Sequence, residues 1–546
     1  MKTAHDLIPQ PTHHQQHGHD LDVTALTAIT AHPRDHDTAH LLATRLHQGT
    51  GHHIPVTTTP TDQPAITLTS TTDHDPTAIP QPGDEDHTLT IDHTGIHINA
   101  TTPAGVSRAA TTLLQLLPPH ALRRAPIEHS TLPHTTITDR PRLPWRGLTI
   151  DTARHYIPKP DLFTLIDQAW LHKINVIQLH LTDDQGWRID IPTRPELRRT
   201  AAWRTETTTG HALQENPGDR TPHGGHYSLA DLREINAYAR RRHILLVPEI
   251  NLPGHTRAAL AAYPEIGTGR HRPVATTFGV FSEVMEPTET ALAFTRDVLD
   301  TVVGVFDSPV IHIGGDEIPL DQWSRSPRAR RLLDELGTDD LRRVQGWFVH
   351  AVADHLAGHG RRIAGWDEVL AAGAPSDTIV TVWRNAGYAE RAVERGHQVI
   401  IGPETHAYLD HYESDDAREP LRIHGHTDIA GLEAWDPVPA GLDDRDVLGA
   451  QCQIFTEYLP TLRDIEYSLH PRLAAFADAA WSSRAARADA PVSDRIDRTH
   501  LDRLAALGVN YRPPAGPHPW QSGGTGPRER WDHGNFHHKE LDADAH

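Results

Sequence analysis

The sequence has one cysteine, Cys452, in 546 residues, so an intramolecular disulfide is excluded. It has no run of about 20 apolar residues that could cross a membrane. The first twenty residues have no apolar stretch of the length found in secretory signals. These absences predict a cytoplasmic protein without a membrane partner, or a secreted one if a leader precedes the given sequence.

Positive charge is also scarce. Lysine and arginine total 51 against 72 aspartates and glutamates, which gives a net charge of −21 at pH 7 with histidine neutral. Such a balance argues against nucleic acid or an anionic membrane as a partner. The fractions of hydrophobic residues, 37%, and of charged residues, 23%, are typical of a globular protein.

Histidine, in contrast, is abundant, with 43 residues. Compositional drift explains this most simply, and we expect no metal and no cofactor. The alternative is accessory metal binding by the C-terminal histidines together with His5, His13, His14, His17 and His19, although these lack the spacing of enzymatic metal sites. Zinc binding that disappears when residues 1–20 are removed would support this alternative.

The chain divides into four segments by composition and hydrophobic periodicity. Residues 1–20 are polar and histidine-rich and are expected to be disordered, as is the Gly/Pro/His-rich segment 513–546. Residues 21–140 contain strand-like and helical patterns that predict a small α/β domain. Residues 143–512 alternate short buried strands with helices, which predicts a (β/α)₈ TIM barrel. One of these helices is expected over 228–242, where Ser228 and Asp231 have the spacing of a capping box. The eight expected strands are 146–151, 176–183, 243–251, 310–317, 361–368, 378–384, 398–404 and 447–457.

Nearly every expected barrel strand ends in polar or aromatic side chains. The active site of such a barrel gathers at the carboxyl ends of its strands, so we expect these side chains to meet. Carboxylates supply acid and base groups, and tryptophan rings stack on the apolar face of a sugar. The mixture therefore favours a carbohydrate site. The strand-end residues include Asp151, Arg154, Asp183, Glu249, Asn251, Asp316, Glu317, Trp366, Glu368, Trp383, Tyr408, Asp410, Phe455 and Glu457.

Asp316 and Glu317 are neighbours in the sequence. Most glycosidases place two carboxylates across the scissile bond, about 5 to 9.5 Å apart, and an adjacent pair suits that arrangement poorly. The pair suits a mechanism in which one carboxyl protonates the leaving oxygen and the other orients a nucleophile that belongs to the substrate.

The segment His312-Ile-Gly-Gly-Asp-Glu317 resembles the signature of family 20 glycoside hydrolases, the β-N-acetylhexosaminidases. The resemblance extends in order over about residues 143–510, and residues 21–140 are similar to the small domain that precedes the barrel in this family. Further matching motifs are Arg146-Gly147, Asp151-x-x-Arg154-His155, Asp183-Asp-Gln-Gly-Trp-Arg188 and Pro253-Gly-His-Thr256.

The resemblance implies a retaining mechanism in which the 2-acetamido oxygen of the substrate attacks the anomeric carbon and forms an oxazolinium intermediate. Glu317 is then the general acid and later the base. Asp316 holds the acetamido N–H, and Tyr408 donates a hydrogen bond to the acetamido carbonyl oxygen.

The resemblance also implies roles for the surrounding side chains. Arg154, Glu457 and Asp410 would bind sugar hydroxyls, and Trp366 and Trp383 would form the walls of the acetamido pocket. Asp183 and His255 would lie behind the acid, position it and raise the pKa of its carboxyl group.

The sequence departs from the family pattern at two positions. Phe455 stands where the family usually has tryptophan, which predicts weaker stacking on the sugar. Asn251 stands where the family more often has aspartate, and we expect the missing charge to affect the protonation of His255.

The function implied is exo-acting hydrolysis of terminal β-linked N-acetylglucosamine, or N-acetylgalactosamine, from chitin-derived or glycan oligosaccharides. Two alternatives stay open. The protein could be a family member that releases a different glycone, such as a disaccharide, or a catalytically silent barrel that binds carbohydrate.

Overall fold

The computed structural model describes residues 6–123, 125–126 and 130–522. The N-terminal domain is built on a seven-stranded sheet in the order β1-β7-β5-β6-β4-β2-β3. Neighbouring strands are antiparallel from β1 to β6 and parallel from β6 to β3. The strands are β1 His13–Asp22, β2 Ile29–Ala31, β3 Val56–Thr57, β4 Ala65–Ser70, β5 His87–Asp92, β6 Gly95–Ala100 and β7 Thr131–Asp139.

The expectation of a disordered segment over residues 1–20 is wrong for residues 6–20. Leu7 and Ile8 are buried, and β1 pairs with β7 at the edge of the sheet. The sequence of β1 has no apolar alternation because most of its side chains face solvent. Backbone hydrogen bonds to β7, which the side-chain pattern does not report, hold this strand.

Eight parallel strands close into a barrel, so the predicted (β/α)₈ fold is confirmed. Their order around the barrel follows the chain, and β15 pairs with β8 to close the ring. The barrel strands are β8 Trp145–Asp151, β9 Val176–His180, β10 Leu245–Glu249, β11 Val310–His312, β12 Arg362–Trp366, β13 Ile379–Val382, β14 Gln398–Ile401 and β15 Val447–Ile454. Each lies within an expected strand segment except β8, which begins one residue earlier.

Helices pack on the N-terminal sheet and form the outer layer of the barrel. Helix α4 begins with the expected capping box, in which the side chains of Ser228 and Asp231 bind each other's backbone N–H groups. The helices are α1 His36–Thr50, α2 Pro103–Leu116, α3 Lys159–Leu171, α4 Leu229–Arg240, α5 Arg257–Ala262, α6 Glu289–Val303, α7 Asp321–Ser324, α8 Pro327–Leu336, α9 Arg342–Ala357, α10 Val369–Ala372, α11 Ala386–Glu394, α12 Glu404–Ala407, α13 Ile429–Ala434, α14 Leu462–Leu469, α15 Arg472–Trp481, α16 Arg484–Asp489, α17 Val492–Arg495, α18 Leu501–Leu507 and α19 Pro519–Ser522.

A buried charge network joins the N-terminal domain to the barrel. Glu85 accepts hydrogen bonds from Arg108, at 2.7 Å, and from Arg146 at the start of β8. The two guanidinium groups hold the pKa of Glu85 below its usual value despite burial. Because Arg146 lies at the amino end of its strand, this part of the Arg146-Gly147 motif joins the domains and does not belong to the active site.

The C-terminal segment also differs from its prediction where the structure describes it. Residues 513–522 end in α19, and Gln521 Nε2 donates to Asn510 Oδ1 at 3.0 Å. Residues 523–546 lie outside the described part of the chain. Within the described part, no helix combines the length and apolarity that a membrane span requires.

Candidate active site

One pocket at the carboxyl ends of the barrel strands brings together all nine residues that were expected to contact substrate. Every barrel strand except β10 contributes at least one lining side chain, directly or from the segment that follows it. The pocket is lined by Arg154, His180, Asp316, Glu317, Trp366, Trp383, Glu404, Tyr408, Asp410, His411, Ile423, His424, Phe455 and Glu457. Asp183 and His255 lie behind this lining, as the sequence predicts.

Asp316 and Glu317 stand on a sharp turn after β11. Gly314 and Gly315 have φ of 68° and 87°, and a Cβ atom on Gly314 would lie 2.0 Å from Oδ1 of Asn251. Glu317 itself has φ of 49°, which is strained for a residue with a side chain. The two glycines of the motif are therefore required by backbone conformation and by close contact.

His255 lies between two pairs of carboxylates. Its Nδ1 is 3.3 Å from Asp183 Oδ1 and 3.2 Å from Asp184 Oδ2, and its Nε2 is 3.6 Å from Asp316 Oδ2 and 3.5 Å from Glu317 Oε2. Burial opposes the charged imidazolium, but these carboxylates outweigh it and hold the pKa of His255 well above its usual value. His255 is therefore a cation that contacts both catalytic candidates.

Asn251 does not have the effect expected from the sequence. Its Nδ2 donates to Asp316 Oδ1 at 2.8 Å, and its Oδ1 accepts the backbone N–H of Gly315 at 3.2 Å. The carboxylates of Asp183 and Asp184 keep His255 charged without an acid at position 251. Asn251 orients Asp316 and the turn that carries it.

The pKa of Glu317 differs from the sequence expectation. The contact with His255, 3.5 Å between Nε2 and Oε2, lowers it, and this outweighs the opposing effect of burial. The side chain is 42% exposed in the pocket, so desolvation is incomplete. Burial raises the pKa of the neighbouring Asp316, with His255 opposing and Glu249 adding to the rise. In the open pocket the pKa values of these neighbouring carboxyl groups are therefore shifted in opposite directions.

Arg154 forms the centre of a second cluster on the wall of the pocket. Its Nη2 is 2.9 Å from Asp183 Oδ2 and 3.7 Å from Glu457 Oε1, and its guanidinium lies over the Phe455 ring at 5.3 Å. Burial and then Glu457 raise the pKa of Asp410 to about 8, and its buried Oδ1 has no hydrogen-bond partner among the described residues. This wall offers both donors and acceptors to a polyhydroxylated ligand.

Aromatic rings form the remaining walls. Trp366 is buried and its indole N–H donates to Glu249 at 3.1 Å, while that of Trp383 donates to Glu368 at 3.1 Å. The Tyr408 ring centre lies 6.5 Å from that of Trp383 and 5.6 Å from that of Phe455. A flat apolar ligand face and a polar edge can both be accommodated here.

Several functional residues were not assigned roles from the sequence. Glu249 lies beneath the pocket between His180, at 2.8 Å, and His312, at 3.4 Å, and holds Trp366 in place. Burial, with Asp316 and Asp367, raises the pKa of Glu368 to about 7. Both acids end predicted strands, so the strand-end rule was the signal that could have found them. Asp184 and His180 also lie at the ends of predicted strands. The remaining residues come from α12 and the loop after it, where the sequence shows no helical or strand periodicity; they are Glu404, His411, Ile423 and His424.

The carboxylates around His255 also have the chemistry of metal ligands. Asp183, Asp184 and His255 form one possible group, and His255, Asp316 and Glu317 form another. A histidine must be neutral to bind a metal, and here the flanking carboxylates keep His255 protonated. This arrangement favours proton transfer and charge stabilisation over metal binding.

The chain matches two family descriptions. Residues 143–484 match "Glycosyl hydrolase family 20, catalytic domain", and residues 4–140 match "Glycosyl hydrolase family 20, domain 2". The catalytic match covers more than half of the chain and includes all the pocket residues. The chain therefore belongs to glycoside hydrolase family 20.

Individual relatives agree with this membership. The chain is 35% identical over 456 residues to a beta-hexosaminidase of Porphyromonas gingivalis, which covers 81% of this chain and 56% of the relative. It is 32% identical over 403 residues to a beta-hexosaminidase of Vibrio furnissii, covering 71% of this chain and 64% of the relative. The chain thus spans about three fifths of the length of these two proteins.

A solved structure is similar over nearly its whole length. The family 20 β-N-acetylhexosaminidase of Streptomyces coelicolor superposes with a TM-score of 0.80 at 27% identity, covering 94% of this chain and 99% of that one. The N-terminal domain and the barrel are therefore both shared with that structure.

Proposed function

We propose that the protein is an exo-acting, retaining β-N-acetylhexosaminidase that works by substrate-assisted catalysis. The observation that carries the proposal is the placement of Asp316 and Glu317, which follow one strand, contact the same nitrogen of His255 and share a pocket with Tyr408. Oxygens of the two carboxylates lie within 4.8 Å of each other. Family membership supports the same conclusion.

In the first step, the 2-acetamido oxygen of the terminal sugar attacks the anomeric carbon while the bond to the leaving oxygen breaks. Glu317 gives its proton to that oxygen. Asp316 accepts the acetamido N–H and stabilises the positive charge that develops there, and the Tyr408 hydroxyl donates to the acetamido oxygen. The product of this step is an oxazolinium ion and a free alcohol.

In the second step, Glu317 is a carboxylate and acts as the base. It takes a proton from a water molecule, whose oxygen attacks the anomeric carbon from the face that the alcohol has left. The oxazolinium ring opens, and the sugar is released with its β configuration retained. The proton returns Glu317 to its starting form.

Glu317 must be protonated for the first step, although His255 lowers its pKa in the open pocket. A bound sugar covers the exposed part of this side chain and removes water from it, which raises the pKa of a carboxyl group. An acidic pH optimum follows, because the acid is then protonated in a larger fraction of the complex. A rate that still rises above pH 8 would contradict this.

The wall around Arg154 supports binding of a single terminal sugar. Arg154 donates and Glu457 accepts, and Asp410 has a buried oxygen without a partner in the part of the chain that the structure describes. We assign these three side chains to the sugar hydroxyls, and Trp366 and Trp383 to the acetamido group. The first products from chitotetraose test this assignment, since N-acetylglucosamine and the trisaccharide are expected, whereas the disaccharide alone favours the alternative glycone.

The direct test uses p-nitrophenyl N-acetyl-β-glucosaminide beside the plain β-glucoside. We expect turnover of the acetamido sugar alone, with kcat falling about 10²-fold or more in both Glu317→Gln and Asp316→Asn. Asp316→Asn is the needed companion, because a nitrophenol leaving group requires little protonation from Glu317. Equal turnover of both sugars would exclude the acetamido nucleophile, and binding without turnover would favour the silent barrel.

A further inference from the structure

A second cluster of metal-binding chemistry lies on the outside of the barrel, away from the pocket. Asp300 of α6 meets His355 in the last turn of α9 and His359 in the turn that follows. We propose that these three side chains form a zinc site that clasps α6 to α9. Nothing in the proposed hydrolase mechanism uses them.

The distances already approach those of a bound ion. His355 Nε2 lies 2.8 Å and His359 Nε2 lies 3.2 Å from the same oxygen, Oδ1 of Asp300. Zinc bonds of about 2.0 to 2.1 Å in tetrahedral geometry separate neighbouring ligand atoms by about 3.3 Å. Slight rotation of side chains is therefore enough to admit the ion, which would replace the hydrogen bonds to Asp300.

The backbone positions both histidines on one face. They are four residues apart, the spacing at which side chains lie one turn above another. The backbone N–H of His359 donates to the carbonyl of Leu356 at 3.0 Å, and that of Arg361 donates to the same carbonyl at 2.9 Å. The turn that carries His359 is thus held by hydrogen bonds, and much of the site is arranged before an ion arrives.

Exposure and ligand type both favour zinc. The exposed fractions of the side chains are 53% for Asp300, 40% for His359 and 19% for His355, so an ion can reach the cluster and keep water as its fourth ligand. Two imidazoles and one carboxylate suit Zn²⁺, whereas Mg²⁺ prefers ligands that are all oxygen.

Other groupings of histidine with carboxylates in the described residues have a different setting. Two of them share His255 with the catalytic centre, and the third, Glu404, His411 and His424, lines the substrate pocket. A metal bound at those positions would compete with substrate. Loss of activity on adding zinc would therefore not show whether the ion binds to Asp300, His355 and His359.

The clasp would stabilise the helices on either side of the catalytic turn. In the chain, α6 precedes β11 and α9 follows it, and β11 leads into Asp316 and Glu317. Gln345 of α9 also donates to the carbonyl of Gly315 at 2.8 Å. Zinc bound only by the folded protein raises the ratio of folded to unfolded chains about 100-fold when its concentration is 100 times its Kd.

The test is zinc binding to the full chain, measured by competition with a chromophoric chelator, together with urea unfolding with and without zinc. His359→Ala and Asp300→Asn should each remove one tightly bound zinc and abolish the zinc-dependent rise of the urea midpoint. Mg²⁺ should not raise the midpoint of the wild type, and a chelator should reverse the effect of zinc.

The matched control is His350→Ala, which removes an exposed histidine of the same helix whose Nε2 contacts the carbonyl of Gly373. It should keep both the tight zinc and the stabilisation. Because the chain has 43 histidines, the comparison between variants is the measurement, not the total zinc bound. Equal zinc binding by His359→Ala, Asp300→Asn and His350→Ala, or a wild type that zinc does not stabilise, would overturn the proposal.

Discussion

Two groups of buried histidines in this protein differ in charge, since one is neutral and the other is cationic. His172, His470 and His500 pack together, with 3.1 Å between Nε2 of His172 and Nε2 of His500 and 5.3 Å between the ring centres of His172 and His470. Burial lowers the pKa of His172 to about 4 and holds those of the other two well below the usual value. Arg503 and Arg495, which face this cluster, also disfavour its protonation.

His255 and His180 are buried to a similar degree but are cations. Burial opposes their charge, yet Glu249 and Asp183 raise the pKa of His180 to about 10. The rings of the neutral group instead contact Gln168, at 2.7 Å from His172 Nδ1 to its backbone oxygen and 3.0 Å from His470 Nε2 to its side chain. Burial alone neutralises a histidine, and carboxylates on both sides reverse that result.

Asp183→Asn should reduce the charge difference between the two histidine groups most strongly. Without this carboxylate the pKa of His255 falls, and its effect on Glu317 weakens, so the pKa of Glu317 rises. We expect kcat to fall about 10²-fold, and the alkaline limb of the kcat/KM profile to move to higher pH, because a larger fraction of Glu317 keeps its proton. The measurement is the pH profile on the aryl N-acetylglucosaminide.

Asp184→Asn is the matched control. The charge of Asp183 is the largest of the effects that raise the pKa of His255, and the hydrogen bond with Asp184 is a smaller one. Its substitution should have a smaller effect on the alkaline limb than that of Asp183. Identical profiles for the two variants would show that the charge on His255 does not depend on Asp183 more than on Asp184.

The stability of the protein in acid tests the neutral group, His172, His470 and His500. The unfolded chain binds protons at its histidines below about pH 6.5, whereas folded His172 stays neutral down to about pH 4. The stability that comes from these neutral rings is therefore complete above pH 6.5 and is lost as the pH falls toward 4. His500→Gln removes one titrating group. The slope of the free energy of unfolding against pH should therefore become shallower by up to about 1.4 kcal/mol per pH unit.

Urea unfolding between pH 7 and pH 5 measures that slope. His350→Gln, at an exposed position on α9, is expected to keep the slope of the wild type. If His500→Gln has the wild-type slope as well, the neutral cluster does not account for the loss of stability in acid.

The smallest change in activity, a change in KM, is expected from Phe455→Trp. The Phe455 ring lies edge-on to His180 with 5.9 Å between ring centres, and it forms part of the sugar wall. A larger aromatic face adds about 0.5 to 1.5 kcal/mol of stacking, so KM should fall between 2-fold and about 10-fold. Phe455→Leu should raise KM, and an increase of KM in the tryptophan variant would contradict the stacking role.

Most of the fold followed from the sequence because buried strands and capped helices have local patterns. Each of the eight barrel strands was found, and so was the capping box of α4. Strand β1 was missed because its backbone pairing has no side-chain signature. Helix α19, at the end of the described residues, was missed because it is short and rich in polar residues.

The nine residues expected to contact substrate also followed, since strand-end position and the family resemblance both point to them. The pKa of Glu317 and the charge of His255 did not follow from the sequence. The lowered pKa of Glu317 depends on its contact with the His255 imidazolium, and the charge of His255 depends on Asp184 as well as Asp183. Such contacts join three separate segments, and sequence spacing does not report their distances.

The mechanism proposed for this protein requires the acetamido oxygen of the substrate to be the nucleophile. Aryl β-glucosaminides that carry acetyl, fluoroacetyl, difluoroacetyl and trifluoroacetyl groups on nitrogen test it most directly, because each fluorine makes that oxygen less nucleophilic. We predict that kcat/KM falls steeply and steadily along the series. A rate that does not depend on the number of fluorines would contradict the account and indicate that a side chain of the protein attacks the sugar.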